Sequence, residues 1–356
     1  MAEGRDKLKV AIACQGGGSH TAFAAGVLSV LLAKENGERF DLVALSGTSG
    51  GAMCATLAWS ALISGDGDRG VEAANRLQAF WDDLKADEPF DAALNSWGLF
   101  TARLPVVAEI SPYAYAPFAQ RELTRALRDY ARLGDFPVDA TRSNPFLFVA
   151  ATEILEGVTK HNSVFRGETI TIDQVVASAA IPPVFRAIPI GEKRYWDGLF
   201  SHNPPIRVFT DIEPKERRPD EIWIIRINPR KRKTEPTTMP EIIDRRNELS
   251  GNLALDQERA FIEKINELIP EMTKLRKYKK IELREIALDE DELERDGFRM
   301  DYVSKLDHSP RFIDALIAAG RGAGWAFLAE RFAGVTAPVE GDRAGAAASV
   351  TPPSSR

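Results

Sequence analysis

The stretch FDLVALSGTSGGAMCATLAWSALI, residues 40–63, decides the fold of this chain. An apolar run suited to a buried strand ends at Gly-Thr-Ser-Gly-Gly, and an apolar run rich in small residues resumes as a helix. Ser49 therefore occupies the centre of a Gly-x-Ser-x-Gly pattern in the strand–turn–helix context of a nucleophile elbow. The competing interpretation is that Ser49 only caps the helix, because serine is a favoured N-cap residue.

A second strand–turn–helix unit stands just before the first one. The apolar strand LKVAIAC, residues 8–14, breaks at Gly16, Gly17 and Gly18, and a helix follows from Thr21. Consecutive glycines let several backbone N–H groups converge on one anion, helped by the positive end of the helix. The turn therefore predicts a loop that binds a phosphate or an oxyanion. It lacks the last glycine or alanine of a dinucleotide-binding fingerprint and the Gly-Lys-Ser/Thr ending of a P-loop.

A serine hydroxyl needs a neighbouring base to become a nucleophile. The strongest candidate is Asp197 in RYWDGLF, residues 194–200, where two aromatic residues precede an Asp-Gly turn. An Asp-Gly pair by itself is an ordinary turn dipeptide. A surface or structural role is favoured for each of the four histidines, His20, His161, His202 and His308.

A Ser-Asp-His hydrolase is the main enzymatic alternative, with Ser49 followed in the chain by His202 or His308. That fold normally places several strands before its elbow. Ser49 follows only the second candidate strand, so this alternative ranks behind the aspartate.

Four elements in order resemble the patatin-like phospholipase family. They are the Gly-Gly-Gly loop, the Gly-x-Ser-x-Gly elbow, the segment ASAAIPPVF at residues 177–185, and the later Asp-Gly. The resemblance extends over about residues 8–206. It implies a three-layer α/β/α fold, and the alternation of apolar strands with helical segments independently favours a mainly parallel sheet covered on both faces.

The resemblance also implies a function and a set of site residues. It implies a serine acyl hydrolase of lipid carboxylic esters, in which Asp197 takes the proton of Ser49 and an acyl-enzyme forms and is hydrolysed. The oxyanion would be held by backbone N–H groups of Gly16, Gly17, Gly18 and, less directly, Gly50. No metal and no cofactor are expected.

An ordinary aspartate, with a pKa near 3.9, is a poor base at neutral pH. Burial beside Tyr195 and Trp196 would raise the pKa of Asp197 and so increase its basicity.

The glycine loop departs from the family pattern after its third glycine. The family usually continues through one residue to Arg or Lys and then Gly, whereas this chain has His20 and Thr21. The departure motivates a second hypothesis, a catalytically silent lipid-binding or scaffold protein with the same fold.

Composition agrees with a globular enzyme and gives no sign of nucleic-acid binding. The chain is 44% hydrophobic and 28% charged, with a net charge of −6. The basic stretches at residues 230–233 and 274–280 are expected to be solvated faces, with attraction to anionic lipid headgroups as the alternative. The oligomeric state is not indicated.

We expect a cytoplasmic protein, because the charged opening is unlike a signal peptide and two cysteines provide no disulfide framework. The apolar helices at residues 21–33 and 52–63 are too short to span a bilayer. Any contact with a membrane or a lipid droplet is therefore expected to be peripheral.

The chain is expected to divide into three parts. Residues 1–229 form the catalytic domain, residues 230–336 a mainly helical extension packed on the core, and residues 337–356 a disordered tail. The aromatic stretch at residues 85–118 suits a lid or acyl pocket, and equally an ordinary covering loop. In the extension, a capping box at Thr238 starts one helix and Ser309-Pro310 starts another.

Overall fold

The computed structural model describes residues 7–64, 68–102, 111–114, 116–134, 144–157, 163–182, 184–271 and 278–336. Within these ranges eight strands form one sheet in the order β5-β6-β3-β2-β1-β7-β8, with β4 paired to β3. The strands are β1 (Leu8–Cys14), β2 (Phe40–Gly47), β3 (Phe146–Glu153), β4 (Val164–Arg166), β5 (Ile188–Ile190), β6 (Lys193–Asp197), β7 (Glu221–Arg226) and β8 (Glu282–Ala287).

The central part of the sheet is parallel. Strands β3, β2, β1, β7 and β8 run in one direction, while β4, β5 and β6 add antiparallel pairs at the β3 side. Strands β1, β2, β3 and β7 are largely buried apolar runs because helices cover both faces of the sheet. The mainly parallel sheet is confirmed.

Helices pack on both sides of the sheet and complete a three-layer α/β/α architecture. They are α1 (Ala22–Leu31), α2 (Lys34–Gly37), α3 (Gly50–Ile63), α4 (Arg69–Asp83), α5 (Pro89–Ala102), α6 (Phe118–Ala131), α7 (Ile172–Ala177), α8 (Met239–Leu268), α9 (Glu290–Arg295) and α10 (Pro310–Arg331). One apolar core lies between the sheet and α1, α3, α4 and α10. A smaller core lies on the opposite face, against α8 and residues 206–212.

The extension after residue 229 is part of the central sheet and not a purely helical addition. It contributes strand β8, which pairs in parallel with β7 and which the sequence analysis did not predict. The predicted capping box is present, because Thr238 and Glu241 bond each other's backbone at the start of α8. The domain boundary at 229 stays a prediction, and residues 337–356 lie outside the described ranges.

Helix α10 closes against α1 at small residues. A methyl group at Gly320 would lie 2.1 Å from the carbonyl oxygen of Phe23, and one at Gly26 would lie 2.2 Å from that of Ile317. Among the described residues α10 alone has the length and apolar composition of a membrane span. Its buried face carries Phe312 and Leu316, as expected of a core helix.

Candidate active site

Ser49 lies in the sharp turn between β2 and α3. Its backbone has φ 56° and ψ −133°, a conformation that a residue with a side chain seldom adopts. Such strain costs about 1–3 kcal/mol and persists only where the surroundings enforce it. The Ser49 side chain makes no capping hydrogen bond to α3, so the helix-cap interpretation has no support.

Neighbouring glycines make this turn possible. A methyl group at Gly47 would lie 2.4 Å from the carbonyl oxygen of Gly51. One at Gly51 would lie 2.3 Å from the carbonyl oxygen of Cys14 at the end of β1. The elbow therefore fits against β1 only with glycine at both positions.

The register of the sheet strands brings Asp197 next to the turn that carries Ser49. In β3, Val149 pairs with Gly47 of β2, and Ala151, two residues further on, pairs with Asp197 at the end of antiparallel β6. The last residue of β6 thus meets the turn that follows β2. The pattern of residue types could not reveal this meeting, because it depends on an antiparallel strand more than a hundred residues later in the chain.

The Asp197 carboxyl group is buried, with 1% of the residue exposed. It accepts a hydrogen bond from the N–H of Leu199 at 2.8 Å and lies close enough to the Ser49 side chain for that side chain to lower its pKa. Burial raises the pKa of Asp197 to about 7, although the Leu199 N–H and the Ser49 side chain act to lower it. The carboxylate is therefore much more basic than an exposed aspartate.

Ser178 joins the elbow to the Asp197 turn. The N–H of Ser49 donates to the carbonyl oxygen of Ser178 at 3.1 Å and to the Ser178 hydroxyl at 2.9 Å. The same carbonyl accepts from the N–H of Gly198 at 3.2 Å, while Ala180 accepts from the N–H of Asp197 at 3.0 Å. This segment is the one that the sequence resemblance pointed to, and its backbone holds the two candidate catalytic residues in register.

The glycine loop after β1 lies directly on the elbow. A methyl group at Gly16 would lie 2.7 Å from Cβ of Ser49. The N–H of Gly16 donates to Oδ1 of Asn203 at 2.7 Å, and its carbonyl accepts from Nδ2 of Asn228 at 3.0 Å. Gly16 therefore anchors the loop, and its N–H is already engaged.

The remaining loop glycines keep their backbone donors. In the part of the chain that the structure describes, the N–H groups of Gly17, Gly18 and Gly50 donate to no protein acceptor. Gly17 is half-buried, Gly18 is exposed, and Gly50 begins α3 beside Ser49. These donors suit an anion that develops next to the Ser49 hydroxyl.

Buried amide side chains hold the base of this loop, and sequence reasoning missed them. Oε1 of Gln15 accepts from the N–H groups of Ile227 and Asn228 at 2.9 and 2.8 Å. Nε2 of Gln15 donates to Oδ1 of Asn252 at 3.1 Å. The amides tie β1 to the end of β7 and to α8, and no local pattern marks them in advance.

The described histidines have partners other than Ser49. His202 bonds through Nδ1 to the Glu258 carboxylate and through Nε2 to the Ser163 hydroxyl at 3.2 Å. His308 is half-buried, its backbone N–H donates to Oδ1 of Asn95 at 3.2 Å, and desolvation lowers the pKa of its ring. His20 bonds to Ser304, and His161 lies outside the described residues. The Ser-Asp-His alternative therefore has no support from His20, His202 or His308.

The aromatic stretch at residues 85–118 comprises α5 and a short turn at Pro112–Ala114, with residues 103–110 and 115 outside the described ranges. Arg186 donates from Nε to the carbonyl oxygen of Pro112 at 2.9 Å and lies over the Tyr113 ring. The stretch is thus attached next to the segment that carries Ser178. Its interpretation as a lid or acyl pocket stays a prediction.

The basic cluster at residues 230–233 is largely paired with carboxylates. Arg230 binds Glu285, Arg232 binds Asp244 and Glu248, and Lys233 binds Asp291. Arg230, Lys231 and Lys233 are exposed, as expected of a solvated face, whereas Arg232 is half-buried against the two carboxylates. Most of the second basic stretch lies outside the described residues.

The fold and the site define a class: an α/β protein with a nucleophile elbow, an adjacent buried aspartate and a glycine loop. The sequence model described as Patatin-like phospholipase matches residues 12–210, more than half of the chain. The chain therefore belongs to the patatin-like phospholipase family, a family of lipid acyl hydrolases.

Among solved structures, the chain is similar to VipD from Legionella pneumophila, with a TM-score of 0.40 and 12% sequence identity. The similarity covers 91% of this chain and 67% of that one. A search of curated protein sequences finds no match.

Proposed function

We propose that this protein is a serine hydrolase of lipid carboxylic esters that uses a Ser49–Asp197 dyad. The Ser49 oxygen attacks the ester carbonyl carbon while its proton passes to Asp197. The proton then moves to the leaving alcohol as the carbon–oxygen bond breaks, which leaves an acyl group on Ser49. Water then attacks the acyl carbon and gives its proton to Asp197. As the bond between that carbon and the Ser49 oxygen breaks, the proton passes from Asp197 to Ser49 and the fatty acid is released.

The placement of the buried Asp197 carboxylate at the Ser49 elbow by the sheet register carries this proposal. A general base works best when its pKa is near the working pH. Burial raises the pKa of Asp197 to about 7, so the residue can accept a proton and return it at neutral pH. A surface aspartate beside the same serine, with a pKa near 3.9, would be a much weaker base.

The N–H groups of Gly17, Gly18 and Gly50 support the same mechanism. Each tetrahedral intermediate places a negative charge on the former carbonyl oxygen, and pre-aimed backbone donors stabilise that charge without reorganisation. Removing one such donor typically costs about 10²–10³-fold in kcat. Gly16 would contribute by fixing the loop, because its own N–H is bonded to Asn203.

Action on lipid esters follows from family membership. A cytoplasmic location with peripheral contact to a membrane or a lipid droplet stays part of the proposal and rests on the sequence alone.

Labelling with a fluorophosphonate tests the dyad, because this reagent reacts with activated serines. The unmodified protein should label, while Ser49→Ala and Asp197→Asn should not, and both variants should unfold cooperatively near the temperature of the unmodified protein. A panel of phospholipid, lysophospholipid, triacylglycerol and storage polyester substrates then identifies the ester. A folded, unmodified protein that binds vesicles but neither labels nor hydrolyses any ester would support the silent lipid-binding hypothesis instead.

A further inference from the structure

A segment near the end of the described chain lies behind the glycine loop. Residues Val303–Leu306 form a short 3-10 turn that packs against the turn at Gly18–Thr21. A methyl group at Gly18 would lie 2.3 Å from the carbonyl oxygen of Lys305, and Gly18 itself has φ +59°. Gly18, an exposed residue of the loop, therefore rests directly on the backbone of Lys305.

A buried hydrogen bond joins the same two segments. Nε2 of His20 lies 2.8 Å from the hydroxyl oxygen of Ser304. That hydroxyl donates to the carbonyl oxygen of Asp301 at 2.8 Å and accepts from the Asp301 N–H at 2.9 Å. Because the Ser304 hydroxyl donates its only proton to Asp301, it can only accept a hydrogen bond from His20. The network thus assigns the imidazole proton to Nε2.

His20 is held neutral in this position. It is 1% exposed, and the ring of Phe312 packs edge-on at 5.8 Å between centroids. Burial, with help from the positive charges of Lys305 and Arg232, lowers the pKa of His20 well below its ordinary value. His20 therefore serves as a buried hydrogen-bond donor where the family usually places a cation.

Lys305, a cation of the C-terminal extension, lies near His20. The Lys305 ammonium, with 12% of its side chain exposed, donates to Asp244 at 2.6 Å and to Glu248 at 2.9 Å. Arg232 binds the same two carboxylates. Breaking a buried pair of this kind is strongly destabilising, so Lys305 is fixed to α8 and its backbone is fixed under Gly18.

We propose that Ser304 and His20 are positioning residues for the oxyanion loop, with Lys305 as the support beneath Gly18. The Ser304–His20 hydrogen bond fixes the end of the loop so that the N–H groups of Gly17 and Gly18 stay aimed beside Ser49. This inference rests on the proposed function, since it assigns a role to residues outside the dyad in the same reaction. It also gives the C-terminal extension a part in catalysis.

Binding of two ligands distinguishes a role in positioning the oxyanion loop from a role in general structural support. A long-chain trifluoromethyl ketone forms a charged adduct with a catalytic serine and so requires the oxyanion donors, whereas an ether analogue of the lipid substrate does not. Ser304→Ala should weaken ketone inhibition by about tenfold, part of the loss seen when a whole oxyanion donor is removed. Binding of the ether analogue should change less than twofold, about the noise of the assay.

His20→Leu and His20→Gln form the matched pair. Glutamine places an N–H donor near the position of Nε2, so His20→Gln should retain most ketone affinity while His20→Leu loses it. Ser60→Ala is the control for loss of a buried hydroxyl, because Ser60 bonds Arg76 away from the loop. It should leave the ratio of the two affinities unchanged.

The outcomes are distinguishable from failure of the dyad. If a variant loses affinity for the ketone and for the ether analogue equally, Ser304 and His20 have only a structural role and the positioning proposal is overturned. The same conclusion follows if His20→Leu and His20→Gln lose equal ketone affinity. Unchanged ketone affinity in Ser304→Ala and His20→Leu would overturn it as well. An unmodified protein that neither hydrolyses esters nor reacts with the ketone would instead remove the proposed function, and the positioning role with it.

Discussion

The backbone N–H of Gly16 donates to the side-chain oxygen of Asn203 at 2.7 Å, which links the loop after β1 to the turn that follows Asp197. This one hydrogen bond thus connects the glycine loop, which would bind the oxyanion, with the turn that carries Asp197. Because the N–H of Gly16 is bonded to Asn203, it does not point toward a substrate oxygen beside Ser49.

Replacing Asn203 by alanine should reduce kcat more than KM. The change leaves the buried Gly16 N–H without its acceptor, at a cost of about 1–3 kcal/mol in the free energy of unfolding. The loop would then relax away from Ser49, and we expect kcat to fall by about tenfold as oxyanion donors lose their aim. Steady-state kinetics and thermal unfolding measure the two effects.

Asn36→Ala is the control for that substitution. Asn36, in α2, is also buried, and its Nδ2 donates to the carbonyl oxygen of Val30 in α1 at 2.8 Å. It should lose comparable stability with kcat unchanged. If both variants lose kcat in proportion to stability, the Asn203 bond has no particular connection to catalysis.

The pH dependence of kcat/KM should report the ionisation of Asp197. Burial raises the pKa of this carboxyl to about 7, and only the deprotonated form can accept the Ser49 proton. Activity should therefore be low at pH 5, rise through a midpoint near pH 7 and level off above it, as measured on a soluble short-chain ester. A midpoint near the ordinary aspartate value of about 4 would contradict a buried base.

Asp197→Asn should eliminate turnover yet stabilise the fold at alkaline pH. In the folded protein the pKa of Asp197 lies above its unfolded value, so between about pH 4 and pH 7 the folded state holds a proton that the unfolded state has lost. Stability therefore falls as pH rises through this window. Asparagine does not ionise and keeps an oxygen for the Leu199 N–H, so the variant escapes the penalty.

Thermal unfolding at pH 5 and pH 8 checks this sign. The melting temperature of Asp197→Asn should exceed that of the unmodified protein at pH 8, and the difference should shrink at pH 5. Turnover at pH 8 should fall by at least about 10²–10⁴-fold, the usual contribution of a general base. A variant that is less stable at pH 8 would indicate that the carboxylate is stabilised in the fold and that its pKa is not raised.

Local patterns were sufficient to predict the two glycine turns and the strands that precede them. Apolar runs, glycines and the following helices are all properties of adjacent residues, so Ser49 and the loop at residues 16–18 could be identified directly. Strand β8 was missed for a physical reason. It lies at the sheet edge, only Ile286 of its six residues is buried, and so its apolar pattern is weak.

The contacts that assemble the site could not be read from the sequence. Asp197 meets Ser49 because of the register between β6 and β3, and Asn203 meets Gly16 because a turn folds back over the end of β1. These contacts join residues more than a hundred positions apart and involve common residue types. The aromatic pair before the Asp-Gly turn made Asp197 a candidate and the family resemblance strengthened it, whereas Asn203, Gln15 and Ser304 had no pattern to mark them.

The contact between α1 and α10 gives a last prediction, which tests whether the C-terminal extension is integral to the catalytic fold. Gly320→Ala places a methyl group 2.1 Å from the Phe23 carbonyl oxygen, whereas a methyl group at Gly322, two residues along the same helix, meets nothing within 4 Å. We expect Gly320→Ala to destabilise the protein by about 1–3 kcal/mol through overpacking, and Gly322→Ala to be neutral or stabilising by up to about 1 kcal/mol through helix propensity. Urea unfolding followed by both tryptophan fluorescence and fluorophosphonate labelling measures the difference. If α10 were loosely attached, the two alanines would behave alike and Ser49 reactivity would survive the loss of α10 structure.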